Sequence, residues 1–179
     1  ERICAELEKL ILSDNPDKLI EAYNLGITKV VLPEFDAMME CKQDTPYHMY
    51  NVGEHTIKVM ENVEKTRVMR FAALLHDVAK PDVHTFDTRS HFKGHAIAGV
   101  EKANKIMRRL KMDNKTIGLV KRLVACHDDR PVEHGRSEEK VRRSVHKIGK
   151  DIYPLYLQLV NADFAGKSEY GREKGYDDY

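Results

Sequence analysis

Apolar side chains recur at helical spacing along almost the whole chain. Ile3, Leu7, Leu10 and Ile11 form a stripe over residues 2–12. Ser13-Asp14-Asn15-Pro16 reads as a stop followed by a start. Asn15 is the expected cap and Pro16 lies in the first turn of a short helix ending at Gly26. Residues 27–32 are apolar and β-branched, but their shortness and the following Pro33-Glu34 favour an extended link into a short helix over 34–39. A polar loop with Pro46 precedes a helix over 52–63, whose apolar face is Val52, Ile57, Val59, Met60 and Val63.

The next segment is the densest. Residues 71–80 read Phe-Ala-Ala-Leu-Leu-His-Asp-Val-Ala-Lys, a run of good helix formers that predicts a buried helix, capped by Thr66. His76 and Asp77 arrive side by side near its end, where Pro81 biases the chain out of the helix. An imidazole and a carboxylate in an apolar wall are costly unless compensated, and a divalent cation would compensate both. Residues 81–93 hold no helical period and read as an irregular loop over an open site. Helices are then predicted over 94–110, from Asp113 to the Cys126-His127 step, from Ser137 to about 148, and over 152–164. A polar run, 127–137, separates the second and third of these. The polar tail from Gly166 reads as partly frayed or as the start of a helix. The fold class is therefore all-α, a compact multi-helix bundle.

With 179 residues, 41% hydrophobic and 33% charged, the chain fits one globular domain with a small appendage. No apolar run reaches the roughly 20 residues of a membrane span. The formal charge of +1 gives no global attraction for polyanions. Cys4, Cys41 and Cys126 are too far apart for a zinc knuckle and read as reduced thiols, which places the protein in the cytoplasm. Nine histidines are the compositional oddity. His55, His95, His127 and Asp163 each border an apolar helical face, as His76 does. Each alone is more often a core or cap residue than a ligand. A buried Asp163 without a partner would cost several kcal/mol, so it calls for a cation nearby.

The order His, His-Asp, His, His, Asp resembles the HD superfamily of metal-dependent phosphohydrolases. The resemblance implies that His55, His76, Asp77 and Asp163 hold one ion, and that Asp77 bridges to a second held by His95 and His127. It covers about residues 47–165 and includes Lys80. A narrower resemblance rests on Glu1-Arg2-Ile3, Glu6-Leu7, Leu32-Pro33-Glu34, Tyr47-His48, Glu54-His55-Thr56 and the 70–77 run. These look like the HD-containing part of bacterial tRNA nucleotidyltransferases and poly(A) polymerases, in which a nucleotidyltransferase head comes first. The opening Glu1, in place of Met, agrees with a missing head. There is no Gly-rich phosphate loop, Asp-x-Asp pair or Arg-Arg-Asp in the chain, so CCA addition is not expected of it alone.

These resemblances imply three parts: an N-terminal neck or body remnant over 1–45, an HD domain over 46–166, and a polar tail over 167–179. The implied activity is hydrolysis of a phosphomonoester or phosphodiester on a nucleotide or RNA end. One or two divalent ions (manganese, nickel, iron, magnesium or zinc) are the implied cofactor, and tRNA an implied partner. Asp77 and Lys80 are the catalytic candidates. Arg70, His84, Arg89 and His91 are candidates for gripping phosphate. Two competing readings are a non-catalytic tRNA-binding body with a structural metal site and a regulatory nucleotide-binding domain. The former would use the basic runs at 102–111 and 136–143 for phosphate contacts.

Overall fold

The computed structural model describes residues 2–129 and 138–174. Helices dominate, as the apolar periodicity requires: α1 (Arg2–Leu12), α2 (Lys18–Asn24), α3 (Thr28–Val31), α4 (Pro33–Glu40), α5 (Val52–Glu61), α6 (Arg67–Leu75) and α7 (Lys80–Val83). After a two-stranded hairpin, β1 (Thr85–Phe86) and β2 (Ser90–His91), follow α8 (His95–Arg109), α9 (Asn114–Cys126), α10 (Glu138–Ile148), α11 (Tyr153–Ala165) and α12 (Glu169–Lys174).

Helix α6 is the axis of the packing. Phe71, Ala72, Ala73, Leu74 and Leu75 are all buried, so the C-terminal half of the helix is apolar all round and must be enclosed by neighbours. Helices α5, α9, α11 and α1 pack against it, and α8 lies along α9. Phe35, Phe71, Met60, Leu123 and Tyr156 fill the space between them. The chain ends α6 at His76, so the His-Asp pair emerges inside the bundle rather than at its edge.

Local polar chemistry starts the site-bearing helices. Asn51 caps α5 in a reciprocal box: Glu54 N–H donates to Asn51 Oδ1 at 2.8 Å, and Asn51 N–H donates to Glu54 Oε2 at 3.2 Å. Thr66 Oγ1 accepts from Met69 N–H at 3.3 Å, and Asp113 Oδ1 from Thr116 N–H at 2.9 Å, the two caps expected from sequence.

Four local expectations are corrected. The link over 27–32 contains the single helical turn α3, because Gly26 turns the chain at φ 73° and Leu32 N–H bonds Thr28 O at 2.7 Å. A β-branched run with no strand beside it has no ladder to join. Pro81 does not end the preceding helix; it sits in the first turn of α7, where its missing N–H costs nothing. Residues 81–93 are an ordered turn-plus-hairpin with Thr85 opposite His91, held by Asp87 Oδ1, which accepts from Thr88 N–H and from Arg89 N–H at 3.1 Å. Helix α2 starts after Asp17, not Asn15, with an Asn15–Lys18 turn ahead of it. Ser137 and most of the polar run 127–137 lie outside the described residues.

Helix α5 reaches α4 through Gly53, where an added Cβ would stand 2.5 Å from Met39 Sδ and 3.0 Å from Met39 N. Gly53→Ala should therefore destabilise the protein by about 1–3 kcal/mol. Gly118, on α9, has nothing within 4 Å of its built Cβ. Gly118→Ala should stabilise by about 0.5–1 kcal/mol through helix propensity. Paired thermal melts check both; equal shifts would contradict this packing.

Candidate metal centre

Five helices deliver the side chains. His55 lies in the capped start of α5, His76 and Asp77 follow α6, His95 opens α8, His127 ends α9, and Asp163 sits near the end of α11. Gly94 takes φ 82° immediately before His95, a turn that glycine adopts without strain. All four imidazoles and Asp77 are buried.

Two groups of ligand-type atoms form around one carboxylate. His55, His76, Asp77 and Asp163 make the first, and Asp77, His95 and His127 the second. Asp77 Oδ2 lies 3.1 Å from His76 Nε2 and 3.9 Å from His55 Nε2. Its Oδ1 lies 3.2 Å from His95 Nε2 and 3.5 Å from His127 Nε2. Asp163 Oδ1 approaches His55 Nε2 at 2.8 Å and His76 Nε2 at 3.7 Å. Each carboxylate oxygen of Asp77 thus faces a different histidine pair.

The backbone fixes the rings. Nδ1–H donates to a carbonyl three residues earlier in His76 (Ala73, 2.7 Å), His95 (Phe92, 2.9 Å) and His127 (Val124, 2.7 Å). His55 Nδ1–H donates to Gly166 O at 3.3 Å. With Nδ1 carrying the proton, a neutral ring turns its Nε2 lone pair inward. His95 Nε2 and His127 Nε2 then meet at 3.1 Å, and His55 Nε2 meets an Asp163 oxygen at 2.8 Å. Such lone-pair approaches need a positive charge between them. Protonating every ring would set imidazolium rings 5.1 to 5.6 Å apart by centroid, in a buried space. A divalent cation satisfies all the donors at once, so the residues fit a metal. His76 Nε2 has no hydrogen-bond partner, which agrees.

The carboxylates are suited to it. Burial would push Asp77 up, but the neighbouring His76 and Lys80 hold it well below the usual carboxylate range. Asp163 is likewise held low against its burial, by the His55 hydrogen bond and charge and by Lys167. In His95, burial pulls down, and the hydrogen bond and charge of Asp77 win and raise it.

Lys80 is buried beside the cluster, its Nζ 2.7 Å from Asp77 Oδ2 as an ion pair and donating to Gln43 Oε1 at 2.8 Å. The other phosphate-gripping candidates are in neither ligand group. His84 pairs with Ser90 Oγ at 2.9 Å and stacks on Phe92, while His91 pairs with Asp87 at 3.1 Å; both belong to the hairpin region. Arg89 is exposed at the hairpin turn. Arg70 is buried on α6 with Nε and Nη1 unpartnered, nearly two turns before His76, and burial lowers its pKa. Gln43, His48, Gly166 and Lys167 complete the surroundings of the site. Sequence reading gave none of them a role at the site, although Tyr47-His48 carried part of the resemblance, because nothing in a polar loop or after a helix end marks which residue turns inward.

Among the described residues, then, the fold is an all-α bundle built around a buried His/Asp cluster that can hold a divalent cation. Residues 45–153 match the family model described as HD domain, and residues 1–39 match "Probable RNA and SrmB- binding site of polymerase A". The chain belongs to the HD-domain family, and its relatives place it with the HD domains of tRNA nucleotidyltransferase-family proteins. It is 32% identical over 174 residues to the CC-adding tRNA nucleotidyltransferase of Thermus thermophilus, covering 91% of this chain and 38% of that protein. The A-adding tRNA nucleotidyltransferase of Deinococcus radiodurans is 29% identical over 172 residues, with the same coverage of 91% and 38%. The multifunctional CCA protein of Neisseria meningitidis is 34% identical over 116 residues, covering 62% of this chain and 28% of that protein. The chain thus spans well under half the length of these curated relatives.

Cation binding should be measurable as stability. Manganese, nickel or zinc at about 100 times its Kd should add about 2.7 kcal/mol, and chelator should remove it. Asp77→Ala should abolish the effect. Gly166→Ala, whose Cβ would stand 3.0 Å from the His55 ring, should weaken it. Thermal melts with each metal decide the matter; an unchanged melt in wild type with all three would count against a metal centre.

Proposed function

We propose that this domain is a metal-dependent phosphohydrolase acting on a phosphomonoester or phosphodiester of a nucleotide or RNA end, serving in the cytoplasm in a tRNA nucleotidyltransferase-like protein. The observation that carries this reading is the Asp77 carboxylate, whose two oxygens face separate histidine pairs. His55, His76, Asp77 and Asp163 would hold one cation, and Asp77, His95 and His127 a second. When bound, a divalent cation supplies Lewis-acid polarisation of a phosphoryl oxygen and acidifies water, to a pKa of about 7 for zinc. Lys80, held between Asp77 and Gln43, is the side chain this reading assigns to the phosphate. In this reading residues 1–45 are the neck or body segment, 46–166 the HD domain and 167–179 the tail.

The second reading, a body that holds tRNA, is favoured by the match of residues 1–39 to an RNA-binding description. The basic faces support it less. Lys102 is engaged by Asp82 at 2.6 Å and Arg109 by Glu34 at 2.6 Å. Arg142 pairs with Glu138, Arg143 with Glu139, and the segment's first residues lie outside the described ones. Charges already paired contribute less to phosphate attraction.

Turnover of 2′,3′-cyclic AMP and an aryl phosphodiester, measured with manganese, nickel, magnesium or chelator, separates the readings. The hydrolase reading expects metal-dependent turnover that Asp77→Ala lowers at least 100-fold. A folded, metal-loaded protein without turnover on nucleotide phosphoesters would leave the tRNA-holding reading.

A further inference from the structure

His48 stands beside the cluster without belonging to either ligand group. Its ring meets the His55 ring edge-on, 5.5 Å between centroids at 86°. The loop that carries it is fastened from the far end of the chain. Ser168 N–H donates to Tyr47 O at 3.0 Å, Ser168 Oγ–H donates to Pro46 O at 2.7 Å, and the Tyr47 ring meets that of Tyr170 at a tilt of 49°, 5.6 Å between centroids. His48 N–H closes the loop on Thr45 O at 3.3 Å. The same stretch supplies Gly166 O to His55, so His48 and the cluster are held by one clasp.

Its hydrogen bonding is the reverse of the cluster's. Every cluster histidine has an Nδ1–H anchored on a carbonyl, leaving Nε2 as a lone pair for a cation. His48 Nδ1 is buried with no partner. A buried N–H there would be an unsatisfied donor, so the proton belongs on Nε2. A histidine of this kind is a poor metal ligand and a ready hydrogen-bond donor to an oxygen.

We propose that His48 is a substrate-contacting residue of this site, donating its Nε2–H to an oxygen of a bound phosphoester and taking no part in holding the cation. The inference rests on the phosphohydrolase reading above and adds a residue to it. The donor would act beside Lys80, a point charge fixed on Asp77, and would add direction to the grip that charge alone lacks.

The test uses manganese-loaded protein with AMP and inorganic phosphate as probes in calorimetry. In His48→Phe, manganese affinity should stay within twofold of wild type while AMP binding weakens about 5–30-fold, the effect of one lost hydrogen bond. His48→Gln, which returns an N–H near the Nε2 position, should recover part of the loss. Ring 15N shifts of the metal-free protein should show His48 as the Nε2–H tautomer. Unchanged AMP and phosphate binding in His48→Phe would overturn the proposal, as would an Nδ1–H tautomer or a parallel loss of manganese. Should His48→Phe not melt cooperatively, His48→Ala is read in the same way. Wild-type turnover of 2′,3′-cyclic AMP with unchanged kinetics in these variants would sink the His48 role alone. No binding of either probe by wild type would sink it together with the hydrolase reading.

Discussion

Everything in this domain is arranged around one buried carboxylate. Asp77 sits in a shell of four imidazoles and an ammonium, with its two oxygens turned to different partners. A carboxylate removed from water to that degree calls for compensating charge, which the Lys80 ammonium supplies in part and a cation held by the four imidazoles would complete. The rest of the structure serves that condition. Helix α6 is apolar enough to be enclosed, which is why the residue following His76 ends up deep inside the bundle. The neighbouring helices contribute what compensates it.

The histidines are prepared for the role by backbone geometry. A ring that begins or follows a helix end finds a carbonyl three residues earlier, and this fixes the tautomer without using another side chain. Three of the four histidines are turned inward in this way, and the fourth, His55, is anchored on Gly166 O. The same economy governs Lys80, which Gln43 and Asp77 hold between them, over the Phe92 ring. The Nδ1 anchors orient the donors toward one another, and a preoriented donor set selects cations by charge and geometry.

The clasp between residues 46–48 and 166–170 is a second constraint, and it is non-local. Ser168 bonds the backbone of residues 120 or more positions earlier, and Gly166 must remain small because a Cβ there would press on His55. Segments that look unremarkable in sequence, a polar loop and a polar tail, thus set one wall of the site.

The sequence by itself determined the helices and the chemistry they carry. The 3.6-residue spacing of apolar positions, the caps at Thr66 and Asp113, and the His-Asp step after an apolar run are local signals, and local signals survive without the fold. The resemblance to HD proteins tied His55, His76, Asp77, His95, His127 and Asp163 into one set, and in space their ligand atoms lie together. Where local rules compete, reading failed: β-branched residues 27–32 formed a helical turn, and Pro81 opened a helix. Tertiary structure alone decided which oxygen of Asp77 faces which histidines, that His84 stacks on Phe92 while His91 pairs with Asp87, and that His48, Gln43 and Gly166 adjoin the cluster. Those facts depend on contacts between residues far apart in the chain, and no periodicity encodes which of two distant polar side chains will meet.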